Sequence, residues 1–557
     1  MVRIALAQVD PCVGDVTGNA SLVLDWAARA AEAGANLVVF PEMVLTGYPI
    51  EDLALRDSFA RAADAALTDV TRGLVDRGLG DLTVVLGTLG RSTAPGREGL
   101  PTNRAVVVRG GAVLATYDKH HLPNYGVFDE YRIFAPGGAG CVVEVPRSAG
   151  GQGPARAGIV ICEDIWRDGG PLPAMGDADL LLVLNGSPYE EGKVGVRAEL
   201  AARRAAEAGA PVAYVNLVGG QDDLVFDGGS FVVGVDGTVL ARAPQFVEHL
   251  LVWDLPDDGA APGPGRVAPP MDADAEVYAA VVTGLAGYVR KNGFRSVALG
   301  LSGGIDSALV AVMAADAVGG ENVVGVSMPS RHSSQHSKDD AEDLARRIGA
   351  DYRVQPIEPL AEAFHAELDL PGIAGENLQA RIRGVLLMGL SNVEGHLVLA
   401  TGNKSELAVG YSTIYGDAVG GFAPLKDVDK SRVWALARRR NQAALDAGEI
   451  PPIPESSITK PPSAELAPGQ MDTDSLPPYH LLDEVLDAYV EHAEGRDELL
   501  ARGFDPAVVD RVLALVDRAE WKRRQYPPGP KVTALAFGRD RRLPVTNRWR
   551  EPKGDPR

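Results

Sequence analysis

The 557-residue sequence predicts two α/β domains in series, with a mixed-sheet sandwich first and a doubly wound parallel sheet second. Three observations carry this. The first 255 residues alternate short β-type runs with helical patterns or turns, and a stretch almost free of large apolar residues follows them. Beyond that stretch strands and helices alternate regularly. The length also exceeds what one core ordinarily organises.

Residues 1–255 contain the runs "NLVVF", "LTVVLGTL", "RAVVV", "AGIVIC", "DLLLVLN", "PVAYVNLV" and "GSFVVGV". Within "VVVRGGAVLATY" and "VVGVDGTVLAR", Gly-Gly and Asp-Gly stand between apolar alternations, which marks hairpins and excludes purely parallel sheets. Residues 256–274, "PDDGAAPGPGRVAPPMDAD", read as a linker. Residues 275–557 open with an amphipathic helix over 275–291, then a strand "SVALGLS", a helix after "GGIDS", a strand "VVGVSMP" and a helix near Asp340. Two Pro-rich stretches, "PPIPESSITKPPSAELAPGQ" and "QYPPGPKVTALAFGRDRRLPVTNRW", read as long irregular loops, a form that often carries function. No internal repeat at solenoid periods is present.

Hydrophobic residues make up 46% and charged residues 23% of the chain, the balance of a soluble globular protein. Asp and Glu number 75 against 54 Lys and Arg, a formal charge of -21, so the mean surface field repels polyanions and no nucleic-acid partner is expected. The opening "MVRIALAQVD" lacks a signal-peptide layout, and no run of ~18 apolar residues indicates a membrane span, so a cytoplasmic enzyme is expected. Three cysteines, Cys12, Cys141 and Cys162, form no C-x-x-C pair, which excludes a zinc ribbon and argues against a disulfide framework.

Glu42, Lys119 and Cys162 each stand just after a strand-like run, where the carboxyl ends of strands converge on one rim. Their types form a working set: a thiol needs a base or a positive charge to become a nucleophile near neutral pH, Glu42 could take the proton, and Lys119 could steady an oxyanion. On residue type alone a cysteine closing an apolar strand is more often a buried hydrophobe, and Lys119 and Glu42 would be solvated loop charges. Glu163, Asp164 and Trp166 directly after Cys162 favour the catalytic reading.

These three segments resemble the signatures of the nitrilase superfamily, which implies a four-layer αββα sandwich and C–N bond cleavage through a thioester. The resemblance makes Glu42 the general base, Cys162 the nucleophile and Lys119 the stabiliser of the tetrahedral intermediate. Glu130, in "VFDEY", becomes the second glutamate that orients the lysine. "PNYGVF" and "NGSPYEEGK" resemble glutamine-binding segments of glutaminase members, which carries Tyr125, Ser187 and Lys193 over as substrate contacts. Cys12 and Cys141 match no such pattern and are read as structural.

In the second half, "GLSGGIDSALV" places Gly300, Gly303 and Gly304 where a tight turn leaves amide groups and a helix amino terminus free to cradle an anion. It matches neither a Walker loop nor a dinucleotide loop. "SGGIDS" resembles the pyrophosphate loop of the ATP pyrophosphatase family, so Gly300, Leu301, Ser302, Gly303, Gly304, Ile305, Asp306 and Ser307 are expected at ATP. Asp306 explains the missing lysine, because a carboxylate can hold Mg²⁺ against phosphate oxygens.

"GENLQARIRG", "LATGNKSELAVGYSTIYGDAVGGFAPLKDVDKS", "ITKPPSAELAPGQ" and "KRRQYPPGPK" resemble NAD synthetases. With the amino-terminal half, the resemblance to the glutamine-dependent NAD synthetase family extends over nearly the whole chain. It implies that Thr401 contacts ATP, that Asn377 and Lys531 contact deamido-NAD, and that Glu406 contacts the dinucleotide or a metal. Asp417 and Lys426 are expected near the substrate, and Ser463 stands where relatives commonly show threonine, as a hydroxyl metal ligand beside Asp306 and Glu406. His332 and His336 have the spacing of a helical metal pair, but without H-E-x-x-H they read as a polar loop near ATP. The run Ala437–Arg440 reads as a solvated helix face.

Together these expectations describe an enzyme that hydrolyses glutamine and, with ATP and Mg²⁺, amidates deamido-NAD (nicotinate adenine dinucleotide) through an adenylate, giving NAD, AMP and pyrophosphate. Carboxylate oxygen leaves poorly and AMP leaves well, so adenylation makes amide formation feasible. The resemblance also implies a protected path for ammonia and a homo-oligomer. Two other readings stand at this point: a carbon–nitrogen hydrolase with an ATP-sensing second domain, and a non-catalytic tRNA-binding module, with which the acidic charge conflicts.

Overall fold

Successive residues of the strand Val2–Gln8 belong to different cores. Val2, Ile4 and Leu6 pack between two sheets, whereas Ala5 and Ala7 pack beneath helices, so an almost wholly apolar strand is buried on both faces. The computed structural model describes residues 1–138, 140–148, 153–257, 263, 265–467 and 469–551. The chain divides into two compact units, Met1–Gln221 with Val225–Met271, and Asp222–Leu224 with Asp272–Arg557.

The first unit holds two six-stranded mixed sheets. One runs in the order His249–Leu255, Val2–Gln8, Leu37–Val39, Thr83–Arg91, Pro101–Arg109, Ala112–Asp118. The other runs Val239–Arg242, Phe231–Val233, Val212–Asn216, Leu180–Asn185, Ala155–Ile161, Cys141–Val145. Their facing sides share one core, including Leu37, Val107, Ile159 and Leu182. The helices Val16–Glu32 and Asp57–Asp76 cover the outer face of the first sheet, and Lys193–Ala208 packs on that of the second. The result is an αββα sandwich. Both expected hairpins are present as antiparallel pairs. Gly110 and Gly111, at φ 61° and 75°, make the tight turn of one of them.

The expected linker, 256–274, includes residues 258–262 and 264, which lie outside the described residues. Its later part is not free chain: Gly265 N donates to Leu240 O and Ala268 N to Arg242 O, so 265–268 run along the strand Val239–Arg242. Poverty in apolar side chains does not prevent backbone pairing. The next helix, Ala273–Lys291, is capped by Asp272, whose carboxylate accepts from Ala275 N at 2.9 Å.

The second unit contains a parallel sheet ordered Asp351–Val354, Val323–Ser327, Val297–Gly300, Leu397–Val398. The helix Ile305–Val318 is buried along most of its length, with Ala273–Lys291, Gln335–Ile348 and Lys430–Asp446 packed against it. The run Ala437–Arg440 is therefore partly paired rather than simply solvated: Arg439 lies 2.8 Å from Asp272 and Arg440 2.8 Å from Asp316. Among the described residues no helix is long and apolar enough to cross a membrane.

Candidate active sites

In the first unit the strand Ala155–Ile161 ends one residue before Cys162, which opens a short 3-10 turn at φ 42°. That left-handed conformation is strained for a side chain of this type and aims it away from the strand direction. Cys162 is 5% exposed. Burial, reinforced by Glu42, pushes its thiol well above the ordinary value, with Lys119 opposing.

Glu42, Lys119 and Glu130 meet in one buried cluster. Lys119 Nζ donates to Glu42 Oε1 at 2.8 Å and to Glu130 Oε1 at 2.9 Å. Asn103 Nδ2 donates to Glu42 Oε1 and Gly186 N to Glu42 Oε2, both at 2.7 Å, so each carboxylate oxygen is held. Burial lowers the pKa of the Lys119 ammonium, but Glu130 and Glu42 outweigh it and hold the group well above its ordinary value. Burial pushes Glu130 up to about 7 against the pull of Lys119, with Glu42 adding. Tyr48 OH also donates to Glu130 Oε1, at 2.8 Å. Gly87 makes room for this arrangement: a Cβ there would lie 2.1 Å from Met43 N and 2.7 Å from Glu42 C.

Among the expected glutamine contacts, Tyr125 donates through its hydroxyl to Glu163 Oε2 at 2.8 Å, which brings it beside the cysteine turn. Ser187 is buried, with its N bonded to Asn216 Oδ1 at 2.9 Å and its Oγ accepting from Arg197 Nε at 3.1 Å. Arg197 is itself buried against Asp227. Lys193 opens the helix Lys193–Ala208, one turn before Arg197. Cys12 and Cys141 are half-buried free thiols.

The second unit contains a cavity of about 480 Å³ lined by Gly300, Leu301, Ser302, Gly304, Ile305, Asp306 and Ser307. Thr401, Asn377, Glu406, Asp417 and Ser463 line the same cavity. Gly303 instead abuts the neighbouring helix at φ 75°, and a Cβ there would lie 2.2 Å from Ser337 O. Lys426 and Lys531 are not among the lining residues: Lys426 Nζ donates to Pro527 O at 2.8 Å, and Lys531 is buried 3.1 Å from Asp540.

Asp306 and Glu406 converge on Lys430. The ammonium pairs with Asp306 Oδ2 and lies 3.4 Å from Glu406 Oε1, while Asn403 Nδ2 donates to Asp306 Oδ1 at 2.9 Å. Asn403 and Glu406 also form a reciprocal cap on the helix Lys404–Val409, which fixes the glutamate. Burial pushes Glu406 up to about 8 against Lys430, with Asp306 and Asp472 adding.

Among the described residues no group of three or more His, Cys, Asp or Glu side chains is placed to hold a metal. His336 Nδ1 lies 3.1 Å from Asp340 Oδ2 instead. Asp306 and Glu406 nevertheless fit Mg²⁺, which ordinarily takes one or two carboxylates and completes its shell with water and substrate phosphates. The Ser463 hydroxyl is engaged within its own loop, donating to Gln470 O at 2.5 Å and accepting from Glu465 N at 3.1 Å.

Sequence reading did not single out Asn103, Tyr48, Gly87, Arg197, Asp227, Asn403, Asp472 or Lys430. Lys430 stood inside a quoted segment, but 124 residues separate it from Asp306 and no spacing rule joins them.

Comparison with known proteins follows the same division. The carbon-nitrogen hydrolase family matches residues 3–261 and the NAD synthase family residues 277–526. The glutamine-dependent NAD(+) synthetase of Acinetobacter baylyi is 44% identical over 98% of this chain and 99% of its own length, and that of Xanthomonas campestris is 47% identical over 98% and 97%. The solved structure of glutamine-dependent NAD+ synthetase from Acinetobacter baumannii in complex with ADP has a TM-score of 0.75 at 41% identity and covers 99% of this chain and all of that one.

Proposed function

The chain belongs to the glutamine-dependent NAD(+) synthetases, and from that premise we propose that it releases ammonia from glutamine at Cys162 and uses it, with ATP, to amidate deamido-NAD in the cavity of the second unit. What supports the first half most directly is the buried contact of Lys119 with both Glu42 and Glu130 beside the Cys162 turn.

The raised thiol is neutral at rest, so its proton must leave as the sulfur attacks. Sγ bonds to the amide carbon of glutamine, Glu42 takes the thiol proton, and Lys119 donates to the oxygen that gains charge. Glu42 returns the proton to the departing nitrogen, ammonia leaves, and water then cleaves the thioester to glutamate. Glu130 and Tyr48 hold Lys119 in place. Tyr125, Ser187 and Lys193 bind the amino-acid portion of glutamine.

In the second unit the amides of the loop at Ser302–Asp306 and the helix Ile305–Val318 receive the phosphates. The nicotinate carboxylate attacks the α-phosphorus of ATP, pyrophosphate leaves, and ammonia displaces AMP from the acyl carbon. Mg²⁺, held by Asp306 and Glu406, would neutralise phosphate charge when bound. Thr401 contacts ATP, and Asn377 and Asp417 contact deamido-NAD. Lys426 and Lys531 support that side of the site from buried positions. The chain acts in the cytoplasm as a homo-oligomer on small molecules, without nucleic acid or membrane.

The test is NAD formation from ATP, Mg²⁺ and deamido-NAD, with glutamine or with ammonium, and with AMP and pyrophosphate counted. Cys162→Ala is expected to abolish the glutamine-driven reaction and leave the ammonium-driven one. Equal glutamine-driven activity would overturn the role of the thiol, and absence of stoichiometric AMP would overturn the ligase reading.

A further inference from the structure

Arg383 reaches the cavity of the second unit from the helix Ile373–Glu394. Its Nε donates to Met328 O at 3.0 Å. Among the described residues its two terminal amino groups have no hydrogen-bond partner, and no carboxylate lies at ion-pair distance from it. Three other cations of the cavity are engaged: Lys430 with Asp306 and Glu406, Lys460 with Ser337 Oγ at 3.0 Å, and Lys522 with the carbonyls of Gly410 and Ser412 at 2.8 and 2.9 Å; Lys338 also lines the cavity, one residue beyond the Ser337 backbone that abuts Gly303. Burial lowers the pKa of Arg383, with Asp417 and Glu465 opposing from farther away. A half-buried guanidinium with two donors left unpaired in a cavity gains when an anion joins it.

Its position selects the anion. Met328 directly follows the strand Val323–Ser327, which pairs with Val297–Gly300, the strand that leads into the glycine loop. Leu301 N donates to Val326 O at 2.9 Å, and a Cβ on Gly300 would lie 3.1 Å from Met328 Cε. Arg383 therefore reaches the rim at the carboxyl ends of these strands, where such sheets bind ligands. The loop has no lysine of its own, and the ammonium nearest Asp306 is bound to carboxylates. Nε is committed to a carbonyl, so the two amino groups of a planar fork remain, a geometry that matches two oxygens of one phosphate.

We propose that Arg383 binds the phosphate chain of a substrate nucleotide through its two free amino groups, supplying the cation that the glycine loop lacks. This rests on the reading of the cavity as a nucleotide site. The phosphates could be the triphosphate of ATP or the diphosphate of deamido-NAD.

The test uses the full chain and compares Arg383→Gln, which keeps a donor for Met328 O, with Arg383→Lys, which keeps charge but loses the fork. In the ammonium-driven reaction Arg383→Gln is expected to raise the KM of one nucleotide about 10- to 100-fold with kcat within about threefold, and Arg383→Lys to lie between it and the wild type. Calorimetric titration with inorganic pyrophosphate separates the sources. A rise in KM for ATP with weakened pyrophosphate binding identifies the triphosphate, and a rise in KM for deamido-NAD alone identifies the dinucleotide. The melting temperature without nucleotide is expected to stay the same or rise, because an unpaired cation has been removed. A wild type that makes NAD beside an Arg383→Gln variant with both KM values unchanged overturns the inference, as does a variant unfolded without ligand, which would give the guanidinium a packing role. If the wild type makes no NAD, the functional reading falls, and equal affinity of wild type and variant for both inorganic pyrophosphate and deamido-NAD in the same titration then overturns the inference independently.

Discussion

The carboxylate of Asp164 accepts the hydroxyl of Tyr117 at 2.7 Å, joining the turn that carries Cys162 to the strand that Lys119 follows. The same carboxylate accepts the amides of His120 at 3.1 Å, His121 at 2.8 Å and Ile161 at 3.0 Å. Four donors from two chain segments thus converge on one buried side chain, and they fix the separation between thiol and ammonium.

Asp164→Asn presents an NH₂ group to some of these donors and leaves at least one backbone amide unpaired, at a cost of about 1–3 kcal/mol. The expected result is a fall of about 10²-fold in glutamine-driven kcat from misplacement of the thiol, with ammonium-driven synthesis unchanged. Steady-state assays with the two nitrogen donors check this; equal loss with both would show general unfolding instead.

Glu130, raised to about 7, loses its charge as pH falls through that value and with it the ionic hold on Lys119. Glutamine-driven kcat is expected to decline on the acid side of about pH 7, and Glu130→Gln should be slower and lack that limb. The stability consequence has the opposite direction. The folded protein binds more protons than the unfolded chain between the ordinary glutamate value of 4.5 and about 7, so this group's contribution is present below 4.5 and lost as pH rises through 7. The melting temperature of Glu130→Gln relative to wild type should therefore increase across that window.

Gly303→Ala is expected to fail where Gly300→Ala is tolerated better. The first combines φ 75° with a Cβ 2.2 Å from Ser337 O, a backbone atom that cannot yield; the second meets only the flexible end of Met328 at 3.1 Å. The left-handed conformation alone costs about 1–2 kcal/mol, and displacement of the loop should abolish ATP binding. Calorimetric titration with ATP distinguishes the two variants.

Lys430→Met leaves Asp306 and Glu406 facing each other without the ammonium that separates them. Removing one partner of a buried ionic group typically costs about 3–5 kcal/mol. Denaturant midpoints above pH 8, where Glu406 is driven to ionise, should show that loss, and adding Glu406→Gln should recover part of it there, because one of the uncompensated charges is then gone. Absence of recovery would mean that Lys430 acts through packing, its ammonium lying 5.6 Å from the Trp434 ring and 5.2 Å from that of Tyr479.

The architecture was legible because it is written in local patterns. Period-two runs, a Gly-Gly turn and a lysine-free glycine loop after an apolar strand each act within about ten residues; Glu42, Lys119 and Cys162 stand just after strand-like runs, and Asp306 stands in the first turn of the helix that follows the glycine loop. The environment of those groups was not legible. Lys119 meets Glu42 across 77 residues and Lys430 meets Asp306 across 124, and no local spacing encodes such contacts. Whether Cys162 rests as a thiol, or Glu130 holds a proton near neutrality, depends on how much water the surrounding layers remove and which charges remain beside them. Residue type and order set which groups are available; the packing of distant segments sets their partners, their dielectric surroundings and hence their chemistry.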